Sequence, residues 1–151
     1  MNKFKSLFLL ALVALVSITI SCGEKDNPEP TEKEVLLEAL AGTWTLDASA
    51  SQFANTELDG SGISVTFTET GFSLTGDITA YVSGGSYTVT EAGAISDVSV
   101  SIPASTNLEI SGSPSFSVNG AKSTITIVFS TKEADGRVSG LGDYKLVFNK
   151  A

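Results

Sequence analysis

An antiparallel, all-β domain of about eight strands, preceded by one short α-helix, is what this sequence predicts. Three observations lead there. From Thr43 onward apolar residues alternate with Ser and Thr at a period of two; clusters of Gly, Asn, Asp and Ser interrupt that alternation at short intervals; and no later helical pattern is long enough for a parallel crossover. One face of each strand is therefore apolar and the other polar but mostly uncharged, which fits a barrel or a sandwich, since both bury a single face of every strand. No internal repeat of fixed period stands out, which counts against a propeller or a solenoid.

The chain opens on a basic stretch with Lys3 and Lys5, followed by the uncharged fourteen-residue run Leu7 to Ile20. That run has the plan of a bacterial secretion signal and is short for a membrane-spanning helix. The Thr19-Ile20-Ser21-Cys22 segment resembles a bacterial lipobox, in which a small residue precedes a cysteine that is acylated and becomes the new N-terminus. The resemblance implies a lipoprotein signal peptide over residues 1–21 and lipid attachment at Cys22, the one cysteine of the chain. Residues 22–30 read as a polar tether with two prolines, unable to bury apolar surface. Its charge directly after the cysteine resembles the signal that sends lipoproteins of the Bacteroidetes type to the outer face of the outer membrane; a plain solvated spacer is the alternative. The third segment, residues 31–151, is the folded domain.

Charge narrows the partners. The leader carries two of the nine basic side chains and none of the seventeen acidic ones, so the rest of the chain has seven against seventeen, a net charge of −10. Such a chain repels nucleic acid and anionic headgroups, and it has no basic cluster to release counterions from a phosphate backbone. Membrane attachment is then covalent through the acyl anchor. With a single Cys no intramolecular disulfide forms, so the fold rests on packing.

Thr31 to Glu34 makes a Thr-x-x-Glu capping box at the start of the helix. Val35, Leu36, Leu37, Ala39 and Leu40 cover a broad apolar arc, and Gly42 is placed to end the helix in a left-handed cap. At about three turns the helix needs something to pack on, and reads as a lid or plug on the β domain. Ile63/Val65/Phe67 and Phe72/Leu74 flank the Glu69-Thr70-Gly71 turn, with Gly71 at its expected left-handed position. Tyr87/Val89, Val98/Val100/Ile102, Leu108/Ile110, Phe116/Val118, Ile125/Ile127/Phe129 and Tyr144/Leu146/Phe148 continue the alternation. Turns are expected at Asp59-Gly60-Ser61-Gly62, Ser83-Gly84-Gly85, Asn119-Gly120 and Asp135-Gly136.

A short apolar helix running directly into Gly42-Thr43-Trp44, and a closing strand over Asp143 to Lys150, resemble the lipocalin-like lipoproteins, whose Gly-x-Trp motif begins the first barrel strand. The resemblance implies a lipocalin-like barrel in which Trp44 closes one end. In the wider family a late arginine packs over that tryptophan; the one arginine here, Arg137, falls in a turn, and Lys150 is the candidate substitute. An immunoglobulin-like sandwich is the alternative fold, and strand number alone does not separate the two. The resemblance further implies a non-catalytic, lipid-anchored envelope protein that binds a small apolar or amphipathic ligand. A glycan-binding or adhesive accessory lipoprotein, and an interaction domain with no small ligand, stay open beside it.

Chemistry is sparsely represented. The chain has no histidine, and its one cysteine is assigned to the anchor, so the usual general base and thiol nucleophile are missing and an enzyme is not expected. Asp77, Asp97 and Glu109 are formal candidates for a carboxylate pair but read as solvated outward groups. The acidic turns at Glu57 to Ser61 and Glu133 to Gly136 lack the six to eight oxygens of a calcium loop. The Gly60-Ser61-Gly62 and Gly140-Leu141-Gly142 segments lead into strands, not helices, so no phosphate site, metal or cofactor is implied. Trp44 shares the core phase, whereas Tyr81 is out of phase and is the candidate exposed aromatic. Phe67, Phe72, Phe116, Phe129 and Phe148 would fill an eight-stranded barrel, leaving at most a shallow open-end groove near Ser83-Gly84-Gly85 and Asn119-Gly120.

Overall fold

The computed structural model describes residues 29–54, 57–134 and 140–151. The leader, Cys22 and the tether up to residue 28 lie outside the described residues, as do Arg137 and the Asp135-Gly136 turn. Helix α1 (Glu32–Leu40) begins with the expected capping box: the Glu34 amide donates to Thr31 Oγ1 at 3.2 Å and the Thr31 amide to Glu34 Oε2 at 2.8 Å. Its end differs from expectation. Ala41 caps it in an extended conformation with its amide on Leu37 O, and Gly42, at φ 111°, then turns the chain straight into the first strand.

Eight strands follow: β1 (Thr43–Leu46), β2 (Ser64–Phe67), β3 (Gly71–Thr75), β4 (Gly84–Val89), β5 (Ile95–Ser101), β6 (Leu108–Val118), β7 (Thr124–Glu133) and β8 (Gly142–Lys150). Each pairs antiparallel with its neighbours in sequence up to β5 and again from β6 to β8, and β1 also pairs with β8, giving the order β5-β4-β3-β2-β1-β8-β7-β6. The result is a nearly closed up-and-down barrel of lipocalin-like form; a sandwich would need two separate sheets, and here one sheet curls on itself. Among the described residues no ladder joins β5 to β6, which meet as an unzipped seam. The helix, the Thr68–Thr70 and Asn119–Ser123 turns and the C-terminus share one end of the barrel.

Two expected strands, at Leu108/Ile110 and Phe116/Val118, are a single eleven-residue β6. The Gly-Ser-Pro stretch between them is not a turn but a bulge: β6 advances from Ser111 to Ser115 while β7 advances only from Ser130 to Val128, with Gly112 at φ 80°. The expected Ser83-Gly84-Gly85 turn is also corrected. Gly84 and Gly85 lie within β4, and the chain reverses earlier, through a 3-10 turn at Asp77–Ala80. Gly71 is likewise the first residue of β3 and is not left-handed.

These glycines are explained by close approach. A Cβ on Gly85 would stand 2.1 Å from Ser99 O and 2.6 Å from the Phe72 ring, and one on Gly71 would stand 2.7 Å from Gly85 O. The backbones of β3, β4 and β5 cannot separate without breaking their ladders, so Gly85→Ala is expected to cost about 3 kcal/mol or more, as overpacking does. Gly112→Ala, in open space but at positive φ, is expected to cost only about 1–2 kcal/mol. Urea unfolding of the two variants checks this; equal losses would mean that close strand approach is not what selects glycine at residue 85.

Inward side chains fill the barrel. Trp44, Val65, Ile125, Ile127, Tyr144, Leu146 and Phe148 are completely buried, and Leu36 and Leu40 of α1 close the core at the helix end. Near that end Phe116 stacks on Phe67 at 5.3 Å between centroids and takes the Tyr87 ring edge-on at 5.1 Å. Toward the other end Phe129 stacks on Tyr144 at 4.7 Å. Such pairs add to the area they bury, and they occupy the space that a lumenal ligand would need.

Grooves around a filled barrel

Trp44 ties the helix to the barrel. Coming two residues after the glycine that redirects the chain, its indole lies under the end of α1, and its Nε1–H donates to Leu40 O at 2.9 Å, satisfying a carbonyl that the helix leaves unpaired. Lys150, paired across the β1–β8 ladder with Trp44, sets its ammonium 5.4 Å from the ring centroid and donates to Ala39 O at 2.8 Å. It thus takes the place expected of an arginine, with its charge at the negative end of the helix dipole. On the outer side of α1, Lys33 reaches Glu91 at 2.8 Å, and this pair raises the Lys33 pKa through the hydrogen bond to Glu91.

The remaining candidates are dispersed. Asp77 begins the 3-10 turn, Asp97 lies in β5 and Glu109 in β6, all three exposed; Asp97 accepts from Ser96 Oγ at 3.0 Å, and Glu109 pairs with Lys132 at 3.3 Å. Asp59 caps its own turn by accepting the Ser61 amide at 2.8 Å, which holds its carboxyl below the usual range. Asp47 is lowered in the same way, by the Ser49 hydroxyl first and the Ala50 amide next. Among the described residues no group of three or more acidic or sulfur ligands is placed to hold a metal ion. Burial pushes the Tyr87 and Tyr144 hydroxyls up to about 12, so neither supplies a phenolate near neutrality. Tyr81, expected to be exposed, is half-buried: it packs against the core, with Gly140 close beside its ring.

What the surface offers is grooves. One of about 270 Å³ lies at the helix end, lined by Leu36, Ile95, Phe116, Val118, Asn119 and Lys122, as expected for the Asn119-Gly120 end. The part expected at Ser83-Gly84-Gly85 is displaced, because those residues are strand. A second, of about 380 Å³, runs along the seam between Ile95–Val98 of β5 and Ser113–Phe116 of β6. A third, of about 350 Å³, lies between α1 and the Phe67-Thr68-Glu69 segment. At the far end Glu57, Asp77, Thr79 and Tyr81 border a wide opening of about 520 Å³. The sequence reading missed the seam groove; the one signal that could have pointed to it is Pro114, a proline inside an alternating run, which marks an edge or a bulge. Compared with protein-family models, curated proteins and solved structures, the chain matches none.

Proposed function

We propose that this is a non-catalytic, lipid-anchored protein of the bacterial cell envelope, exported by its leader, acylated at Cys22 and displayed on the outer membrane. On this reading its barrel binds a small apolar or amphipathic molecule in a groove at the rim and not in the lumen. The observation that carries the ligand site is the combination of a lumen packed with aromatic rings and a partly apolar groove at the helix end. An eight-stranded barrel is just wide enough to be filled by side chains, so binding is left to the places where packing is incomplete. Beyond the leader, the net charge of −10 gives no overall electrostatic hold on an anionic membrane surface or on nucleic acid, which leaves the anchor as the membrane attachment.

A second reading, glycan binding at the cell surface, is favoured by the far-end opening, which an aromatic side chain, Tyr81, borders together with Asp77 and Glu57. Native mass spectrometry of the chain purified from its own host, with thermal-shift screening, tests both. A co-purifying amphiphile, or saturable stabilisation by apolar compounds, is the expected result. Stabilisation by oligosaccharides alone would replace it with the glycan reading, and stabilisation by neither would leave an interaction domain without a small ligand.

A further inference from the structure

The barrel is unevenly sealed. Every strand away from the seam has at least one buried residue, yet β5 has none along its whole length, and Ile95, Val98 and Val100 of β5 with Ile110 and Val118 of β6 pack on the core while staying partly exposed. Both seam strands bulge against their inner neighbours. On β5 three steps from Ser96 to Ser99 face two from Thr88 to Ser86, with Asp97 at φ 49°; on β6 the bulge spans Gly112 to Pro114. The bulge residues Asp97, Val98, Ser113 and Pro114 line the same groove, so the two distortions face each other and hold the seam apart.

The same features decide what can fill it. A sheet edge invites an added strand, from a peptide or a second copy, through its unpaired amides and carbonyls; bulges, a proline and an edge charge are the devices that prevent this. This seam has all three. An occupant that needs no backbone hydrogen bonds, such as an alkyl chain, is not opposed by them. The groove also has a polarity: it joins the helix-end groove through the shared residues Ile95 and Phe116, and Lys122 stands at that end while Asp97 stands at the other. Among the described residues no carboxylate lines the Lys122 end. Lys122 is held in a left-handed conformation at φ 53° in a turn that Asn119 braces by accepting the Ser123 and Thr124 amides at 2.8 and 3.1 Å.

We propose that the β5–β6 seam is a lateral binding site for a single-chain amphiphile with an anionic head, the head at Lys122 and the chain lying over Ile95 and Phe116 toward Pro114. This rests on the amphiphile reading above and specifies its site and its charge. The test uses the chain lacking residues 1–21 and carrying Cys22→Ser, so that no detergent is needed, with dodecanoate, dodecanol and dodecyltrimethylammonium as probes below their micellar concentrations. Dodecanoate should bind most tightly, and Lys122→Glu should weaken it about tenfold while leaving dodecanol unchanged, the share of one charge-assisted hydrogen bond. Lys122 is in an exposed turn, so circular dichroism should show the variant folded. A photoreactive dodecanoate should label β5 and β6. Equal affinity for the cationic probe, labelling at the Phe67-Thr68-Glu69 segment or near Tyr81, or dimerisation through the seam would overturn the seam assignment while leaving amphiphile binding in place. If none of the three probes binds, dodecanol included, the amphiphile reading itself fails.

Discussion

Cys22→Ser is expected to abolish fatty-acid labelling and to move the protein from the detergent phase into the aqueous phase. Cys22 is the only thiol in the chain, so no other side chain can carry a thioether-linked diacylglycerol. Each buried methylene contributes about 0.8 kcal/mol, so two or more acyl chains anchor stably, while the acidic remainder of the chain is repelled by anionic headgroups. The wild-type protein should therefore resist extraction by high salt and yield only to detergent. Release by salt alone would show that the attachment is peripheral and remove the anchor from the proposal.

The other large effect is expected at Trp44. Trp44→Ala should destabilise the domain by about 3–5 kcal/mol, the usual range for truncating a buried aromatic. Here the ring is fully buried, it sits nearly perpendicular to Phe67 with 6.3 Å between centroids, and its N–H holds the last carbonyl of α1. Trp44→Phe keeps most of the apolar volume but leaves Leu40 O without that donor, so it should cost less, about 1–3 kcal/mol. Denaturant unfolding separates the two. The indole emission of the native protein should be blue-shifted and should move red on unfolding; a native maximum typical of water-exposed indole would contradict this placement.

Much of this fold was legible because the code for it is local. Period-two alternation identified the inward residues of β2, β3, β7 and β8, and the Thr31–Glu34 box fixed the start of the helix, since both depend on neighbours within a few positions. Misreadings occurred where glycine had two physical uses. In Ser83-Gly84-Gly85 it reads as a turn former, but at residues 84 and 85 it is selected by the approach of another strand, a nonlocal fact that no single segment contains. Tyr81 was misplaced for a related reason: phase assigns a face of a strand, and Tyr81 follows a 3-10 turn where that phase does not apply. The seam was hidden because its groove needs both bulges at once, one in β5 and one in β6, and their meeting is set by the closure of the whole sheet.

The pairing of Trp44 with Lys150 brings the entry and the exit of the barrel to the same rim. From Cys22 to Thr31 the chain can span at most about 30 Å even when fully extended. An acylated molecule would therefore stand with the helix-capped rim toward the bilayer and the loops around Asp59 and Asp77 toward the medium. A tag or partner fused after Ala151 would be held at the bilayer side, shielded by the barrel, whereas one inserted near Asp59 would project outward and be reached first by antibody or protease. If Cys22 carries the anchor, one cross-strand pair at the rim would set which end of the barrel faces the bilayer.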